Sequence, residues 1–439
     1  MLKRKILGEL SKWKAAKNHK PVILKGCRQC GKTFAALEFG NSNYENVAYI
    51  NFFENKNAKE IFADSLDVNN IVTIMSAFLG GKTKFVPGKT VIILDEIQEC
   101  AQARTALKFF CMDGRFDVIG TGSLLGVAGY NDKPASIPVG YETVLDMYPL
   151  DFEEFCWANG VSESVICVLE SCLHKRQPVP KALHLRMSDL LLKYVVVGGM
   201  PDAVQSFANN QDMAEVIQIQ RDIIRAYEDD MVKYAPKAEK TLIKQCFQSI
   251  PKQLAKENKK FQYSLVKKGS TAARFAGSLQ WVQDAGITLA CHNLSITELP
   301  LDGNSIESQF KIYMQDTGLF VSMLEDGTQF DILNGNLFGY KGAIFENLIA
   351  DVFSKMGRKL YYFRKDSGLE LDFIIRLKGK CVPIEVKAKN GNAKSLKTVL
   401  NHPEKYHVDF AIKLTNQNIS VSEHVLTLPH YMAFLLREV

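Results

Sequence analysis

The stretch GCRQCGKT, Gly26 to Thr33, restricts the fold more than any other part of the chain. It fits G-x-x-x-x-G-K-[ST], a loop whose glycines let successive N–H groups turn inward on phosphate oxygens. Its lysine reaches the β and γ phosphates and its hydroxyl ligates magnesium. Such a loop works between a buried strand and the start of a helix. Both flanks comply: KPVILK, Lys20 to Lys25, is an apolar strand pattern, and TFAALEFG, Thr33 to Gly40, is a helix expected to end at its glycine.

The same residues contain Cys27-x-x-Cys30, which in isolation reads as a redox pair or as half of a zinc site. Structural zinc needs another pair of Cys or His at matching spacing, and the remaining cysteines and the histidines supply none. The phosphate loop therefore owns the stretch. Gly26, Cys27, Arg28, Gln29, Cys30, Gly31, Lys32 and Thr33 form the expected ATP-binding segment, with the two thiols facing away from the phosphates. Amides arranged around an anion also lower a thiol pKa, so a disulfide forming when nucleotide is absent is a subsidiary expectation.

The partner motif is TVIILDEIQ, Thr90 to Gln98, a buried-strand run that delivers Asp95 and Glu96 at its end. Asp95 is expected to hold Mg²⁺ and Glu96 to polarise the attacking water as the catalytic residue. NVAYINFFE (Asn46 to Glu54), FDVIGTGSLLG (Phe116 to Gly126) and the start of TVLDMYPLDFEEF (Thr143 to Phe155) bring the candidate parallel strands to five. A strand between the loop strand and the Asp-Glu strand marks the additional-strand, catalytic-glutamate type of ATPase. There a polar residue beyond the neighbouring strand senses the γ-phosphate. Ser123 or Thr121 is the candidate sensor, and an ordinary helix cap is the alternative for either.

A chain of 439 residues is too long for one core, so about two to four domains are expected. Its 46% hydrophobic and 23% charged residues are those of a soluble globular protein, and no apolar run approaches the roughly 18 residues of a membrane helix. Ten cysteines without a signal sequence point to a reducing compartment, with the cytoplasm as the expected location. The basic start MLKRKILGELSKWK reads as the first helix of the domain. The net charge of +6 lies from Lys341 onward, where 16 Lys and Arg face 10 Asp and Glu, and a second basic cluster runs from Lys252 to Arg274. Such patches suit a polyanion, with DNA the candidate partner, although a solvated face explains any single one.

The pattern from Ser162 to Pro236 is helical, broken at VVVGGMPDAV, and reads as a lid. After it, helices precede STAARFAGSLQWVQDAG and a pair of strands, an order resembling a winged helix; a plain packing module is the alternative. The C-terminal part holds a second constellation. Glu346 lies on an apolar helix, Gly342 to Ser354, while Glu370 and Asp372 share one face of the strand GLELDFIIRL, and Glu385 and Lys387 share one face of CVPIEVKAK. The turn LKGK allows a hairpin, so Asp372, Glu385, Lys387 and Glu346 can meet. Carboxylates with one lysine suit metal-assisted phosphodiester hydrolysis, the acids Glu346, Asp372 and Glu385 holding Mg²⁺ and Lys387 activating water. Exposed hairpin charges paired across strands are the alternative.

ILKGCRQCGKT, ILDEIQ, TGSLLG, YPLDFEEF, GGMPDAV, KIYMQDTGLF and FENLIADVF together resemble the bacterial and archaeal AAA-type ATPases that carry the C-terminal domain of unknown function 4143. The resemblance spans nearly the whole chain. It implies an α/β architecture: an AAA-type P-loop parallel sheet over 1–160, a helical lid over 161–236, a winged-helix-like segment over 237–310, and a restriction-endonuclease-like α/β domain of the PD-(D/E)xK type over 311–439. Carried over, Gly26, Gly31, Lys32, Thr33, Asp95 and Glu96 fall on the nucleotide site, and Glu346, Asp372, Glu385 and Lys387 on the nuclease-like one. This chain departs from the family in having Tyr141 after Gly140, where a basic residue is usual, and Cys30 where a small apolar residue is usual. Arg221 and Arg225 are the candidates for an arginine finger. The expectation is an ATP- and Mg²⁺-dependent ATPase acting on nucleic acid through its C-terminal domain. A nucleotide-dependent signalling switch, with that domain only a binding surface, is the alternative.

Overall fold

A computed structural model describes residues 2–81, 83–123, 140–236, 238–256, 259–269, 271–336, 340–388 and 393–437. The N-terminal part runs α1 (Lys5–Ala15), β1 (Val22–Lys25), α2 (Lys32–Asn43), β2 (Asn46–Asn51), α3 (Val68–Phe78), β3 (Thr90–Asp95), α4 (Ala101–Asp113), β4 (Asp117–Gly122) and β5 (Thr143–Asp146). The strands pair in the order β2-β3-β4-β1-β5, every neighbour parallel. A parallel sheet needs cover on both faces, which its near-continuous apolar strands reflect. Ile23, Ile92 and Leu94 face α3 and α4, while Val22, Leu24 and Ile93 face α1 and α2.

β4 lies between the loop strand β1 and the Asp-Glu strand β3, as the additional-strand arrangement requires. Leu124 to Gly126, at the end of the expected strand region, fall outside the described residues. One expectation fails locally: α2 does not stop at Gly40 but continues to Asn43. Gly40 packs under Ile93, Val47 and Val91, where a Cβ would come within 3.2–3.3 Å of their side chains. The glycine is there for close helix-to-sheet approach, not as a terminator.

The chain then becomes helical, through α5 (Phe152–Ala158), α6 (Glu163–Lys175), α7 (Lys181–Val197), α8 (Pro201–Asn210), α9 (Met213–Tyr234), α10 (Lys240–Leu254), α11 (Tyr263–Val266) and α12 (Ala272–Asp284). Next come β6 (Thr288–Leu294), β7 (Ser305–Met314), α13 (Thr317–Ser322), α14 (Thr328–Leu333), α15 (Lys341–Lys355), β8 (Leu360–Arg364), β9 (Glu370–Leu377) and β10 (Lys380–Val386). The C-terminal end adds α16 (Lys394–Leu400), α17 (Pro403–Tyr406), β11 (Ala411–Thr415), β12 (Ser420–Ser422) and β13 (Val425–Pro429). A mixed eight-stranded sheet results, ordered β12-β13-β11-β10-β9-β8-β6-β7.

The strand pair expected as a wing therefore belongs to the C-terminal sheet: β6 runs parallel to β8, and β7 crosses the expected boundary at 310. A two-stranded hairpin has too little to bury alone, and this one completes a larger sheet instead. A single core also runs from Leu150 through the lid helices to Leu436, so the segments expected as lid, winged helix and C-terminal domain share one interior.

Candidate nucleotide and carboxylate sites

β1 delivers Gly26 to the end of the parallel sheet so close to the following chain that a Cβ would fall 2.0 Å from the Met147 carbonyl oxygen. Gly31 starts α2 at φ +94°, a conformation that L side chains avoid. Between them the loop folds over its own lysine. Lys32 Nζ donates to the Gly26 and Cys27 carbonyls at 3.1 and 2.7 Å, and its side chain is buried. Thr33 Oγ1 donates to Asp95 at 2.9 Å, which unites the two halves of the expected magnesium site.

Asp95 is 1% exposed and is a shared acceptor. Besides Thr33 it takes hydrogen bonds from Tyr49 Oη (2.9 Å), Asn51 Nδ2 (3.0 Å) and Thr121 Oγ1. The parallel register that sets Asn51 opposite Asp95 supplies one of these donors. Glu96, held in the left-handed region at φ 52°, accepts from Gln98 Nε2 and, at 3.4 Å, from Ser123 Oγ. Lys32, Thr33 and Glu96 border a cleft of about 520 Å³ that Leu2, Arg4, Phe34, Pro201, Asp202 and Gln205 help to wall. Thr33 and Asp95 are oxygen donors of the kind a hard divalent cation takes, so the residues present fit Mg²⁺.

The two sensor candidates separate here. Thr121 is fully buried, bonded to Asp95, and accepts the Glu96 N–H at 3.3 Å, so it braces the acidic pair. Ser123 is the one that touches Glu96. Neither arginine-finger candidate borders the cleft: Arg221 pairs with Asp326 at 2.6 Å and Arg225 with Asp222 at 3.3 Å, both on the outer surface of α9.

Arg28 reaches the lid instead of the cleft. It pairs with Asp230 at 2.7 Å and lies over the Tyr234 ring, while Tyr227 Oη donates to its carbonyl at 3.1 Å. Burial pushes the Asp230 carboxyl up to about 6, against the pull of Arg28. Cys27 and Cys30 are buried in the core beneath the loop, facing away from the cleft as expected. Their mutual hydrogen bond raises the Cys27 thiol and brings Cys30 down to about 6, with burial opposing and Lys32 assisting the latter.

Sequence reasoning missed Arg4. It is buried, bonds the Cys30 and Tyr148 carbonyls at 3.0 and 2.7 Å, and pairs with Glu154 at 3.2 Å. The run of three basic residues in MLKRK hid it among surface charges.

In the C-terminal sheet the expected hairpin forms. β9 and β10 are antiparallel and turn through Lys378 and Gly379, both at positive φ, as a tight two-residue hairpin requires. Asp372 Oδ2 accepts the Val386 N–H at 2.8 Å, and Lys387 pairs with Glu385 at 2.6 Å. Burial first, then Glu346 and Glu385, push the Asp372 carboxyl up to about 8. Glu385 Oε2 is buried without a hydrogen-bond partner.

Glu346 differs from expectation. Lys259 and Lys311 both pair with it, and Tyr313 Oη donates to it at 3.1 Å. Lys311, 1% exposed, also lies 2.8 Å from Glu370. Burial works against ionisation of Glu346, but the two ammonium groups hold its pKa below the ordinary carboxylate range. Among the described residues no three acidic, histidine or cysteine side chains are gathered to hold a metal ion. Lysines supply the counter-charge that a cation was expected to bring. Asp372 and Glu385 still fit a divalent cation chemically, through oxygen donors and the orphaned Glu385 oxygen, whereas Glu346 is committed elsewhere. Lys311 had a signal in QFKIYM, a lone charge at an inward position of an apolar strand; Lys259 had none.

Residues 18–156 match the family model described as an AAA domain, 188–329 a domain of unknown function (DUF8612) and 341–431 a domain of unknown function (DUF4143). The chain thus carries an AAA-type P-loop domain ahead of a DUF4143 domain. No curated protein matches it. Among solved structures, a Walker-type ATPase of Pyrococcus abyssi is 13% identical, with 74% of this chain and 96% of that one covered at a TM-score of 0.42. The ORC2 protein of Aeropyrum pernix, in ADPNP–ADP complexes, is 14% identical over 75% and 90% of the two chains at 0.33. The ORC1 protein of the same organism, in complex with DNA, is 14% identical over 77% and 94% at 0.29. Likenesses this loose carry no argument about ligands. No helix among the described residues is long and apolar enough to cross a membrane.

Proposed function

We propose that the chain binds ATP with Mg²⁺ in the cleft over Gly26–Thr33 and hydrolyses it. The observation that carries this reading is the meeting of Thr33 and Asp95 at 2.9 Å, with Glu96 bordering the same cleft. Mg²⁺, when bound by these oxygens, neutralises phosphate charge. Lys32, freed from the two loop carbonyls, supplies a phosphate contact; Thr121 braces the acidic pair; Glu96 orients and deprotonates water; Ser123 sets the Glu96 carboxylate. A carboxylate general base contributes on the order of 10²-fold or more, so Glu96→Gln keeps ATP binding and loses turnover by about that factor. Lys32→Ala loses binding itself. Equilibrium binding and steady-state hydrolysis on the two variants test the division, and normal turnover in Glu96→Gln would sink it.

The C-terminal unit, in the same reading, is PD-(D/E)xK-like, extended by the β6–β7 hairpin. Asp372 and Glu385 would hold Mg²⁺, and Lys387 would position water against a nucleic-acid backbone. Support comes from the hairpin that joins those residues and from the basic excess after Lys341. Binding to DNA that weakens steeply with salt tests it, because phosphate contacts release counterions. The switch reading is favoured by one observation, the grip of α9 on the loop through Arg28, Asp230 and Tyr227. A chain that hydrolyses ATP yet shows no salt-dependent DNA binding selects it. A cytoplasmic location belongs to both readings.

A further inference from the structure

Tyr227, Asp230 and Tyr234 recur along α9 at helical spacing and so share one face of it. That face lies on Arg28 and holds this residue at both ends. The guanidinium pairs with Asp230 at 2.7 Å under the Tyr234 ring, while the carbonyl accepts Tyr227 Oη at 3.1 Å. Tyr227 is 2% exposed and its hydroxyl also meets the Cys27 thiol, so it is itself fixed. The two preceding carbonyls go elsewhere: those of Gly26 and Cys27 turn to Lys32 Nζ.

In a trans peptide the carbonyl and the following N–H point in opposite directions. Drawing the Arg28 carbonyl onto α9 therefore turns the Gln29 N–H away from α9. Gln29 borders the nucleotide cleft, and among the described residues none of α9 does. Among the described residues no protein group accepts this N–H. Gln29 also sits at φ 61°, a left-handed conformation that a residue other than glycine keeps only where its surroundings hold it.

We propose that Tyr227 is a positioning residue of the nucleotide site: through the Arg28 carbonyl it aims the Gln29 N–H at the phosphates, while Asp230 holds Arg28 by its side chain. The proposal rests on the ATP reading of the cleft. Amides of such a loop cradle the α and β phosphates, so the one that Tyr227 aims meets a group common to ATP and ADP. Such a contact is made alike before and during the reaction, and losing it weakens binding without slowing the chemical step.

The test is Tyr227→Phe in the full-length chain, which removes the hydroxyl and keeps the ring. A hydrogen bond to a charged group is at stake, so Kd for ADP by calorimetry and KM for ATP should both rise about tenfold, with kcat within about twofold of wild type. Asp230→Asn keeps the shape and loses the ion pair, and should move both constants the same way by about threefold. Wild-type constants in a folded Tyr227→Phe overturn the proposal. So does lost turnover that merely follows the folded fraction by circular dichroism, with ADP bound normally by the rest, since Tyr227 is then only structural. If Tyr227→Phe does not fold, Asp230→Asn decides alone, and unchanged affinity there refutes the two-ended hold. A wild-type chain that binds neither nucleotide sinks the ATP reading first, and this proposal with it.

Discussion

Asn51→Asp is nearly isosteric and keeps the oxygen that accepts the Phe53 and Glu54 N–H groups at 2.9 and 3.1 Å. What changes is the group facing Asp95: a donor at 3.0 Å becomes a second carboxylate, with both positions at least nine-tenths buried. Two unit charges at that distance repel by roughly 5 kcal/mol at an effective dielectric constant of 20. Protonation limits the penalty. Keeping a carboxyl neutral at pH 7 against an unfolded value near 3.9 costs about 4 kcal/mol, so the variant holds a proton and loses about 4 kcal/mol rather than more.

The sign follows by linkage. The introduced carboxyl binds its proton more tightly folded than unfolded, so its stability contribution is fully present below about pH 4 and is lost as pH rises toward neutrality. Thermal unfolding of the nucleotide-free chain should therefore show a Tm close to wild type at pH 4 and lower by roughly 10 °C at pH 7, at about 2–4 °C per kcal/mol for a domain of this size. Mg²⁺ should recover part of the loss, since two carboxylates attract a cation more than one does. A variant as stable as wild type at pH 7 refutes the contact between Asn51 and Asp95, and with it the account of how the acidic pair is held.

Other outcomes follow from single contacts. Gly26→Ala drives a Cβ to 2.0 Å from the Met147 carbonyl, so the variant should lose about 3 kcal/mol or more and all measurable ATP binding; unchanged nucleotide affinity by calorimetry contradicts the packing. Asp230, raised to about 6, contributes stability that is present near pH 4 and lost by about pH 6. The Tm of wild type relative to Asp230→Asn should therefore fall over that interval and level off above it, and a rising difference would reverse the assignment. Oxidised glutathione should take two electrons from Cys27 and Cys30 in the nucleotide-free chain, closing a disulfide that weakens ATP binding until a thiol reductant restores it. Cys30→Ser should be indifferent to the treatment, and equal binding before and after it in wild type removes the idea.

The nucleotide site was legible because its parts are local. Loop, strand end and helix start lie within twelve residues of Val22, and Asp95 and Glu96 end an apolar run that can only be a buried strand. The C-terminal hairpin was legible for a similar reason: period-two alternation and a short turn put Asp372 beside Glu385. What stayed hidden needed long-range pairing. Asn51 faces Asp95 only because β2 lies beside β3, and Lys311 reaches Glu346 only because the β6–β7 hairpin joins a sheet whose other strands come later in the chain. Local periodicity also could not tell a wing from a sheet edge, since both read as two short strands after a helix.

Four motifs of the resemblance meet at one place, although three of them carry no residue expected at either site. Leu150 of YPLDFEEF, Gly199 of GGMPDAV, Asp316 of KIYMQDTGLF and Asp351 of FENLIADVF surround Lys355, which is 2% exposed and ends α15. Lys355 Nζ bonds the Leu150 carbonyl and Tyr194 Oη at 3.0 Å each and pairs with Asp351 at 2.7 Å; the Gly199 N–H bonds Asp316 at 2.6 Å and its carbonyl accepts the Leu150 N–H at 2.6 Å. Burial still pushes Asp351 up to about 7, so the pair gains little over apolar packing. Its value is geometric: every partner is directional, and each comes from a different segment. α15 then carries that geometry onward, because Glu346 lies nine residues before Lys355, about 14 Å along a helix of 1.5 Å rise. The short motifs are the joint between the parallel sheet, the helical segment and the C-terminal sheet, and the two candidate sites lie on either side of it.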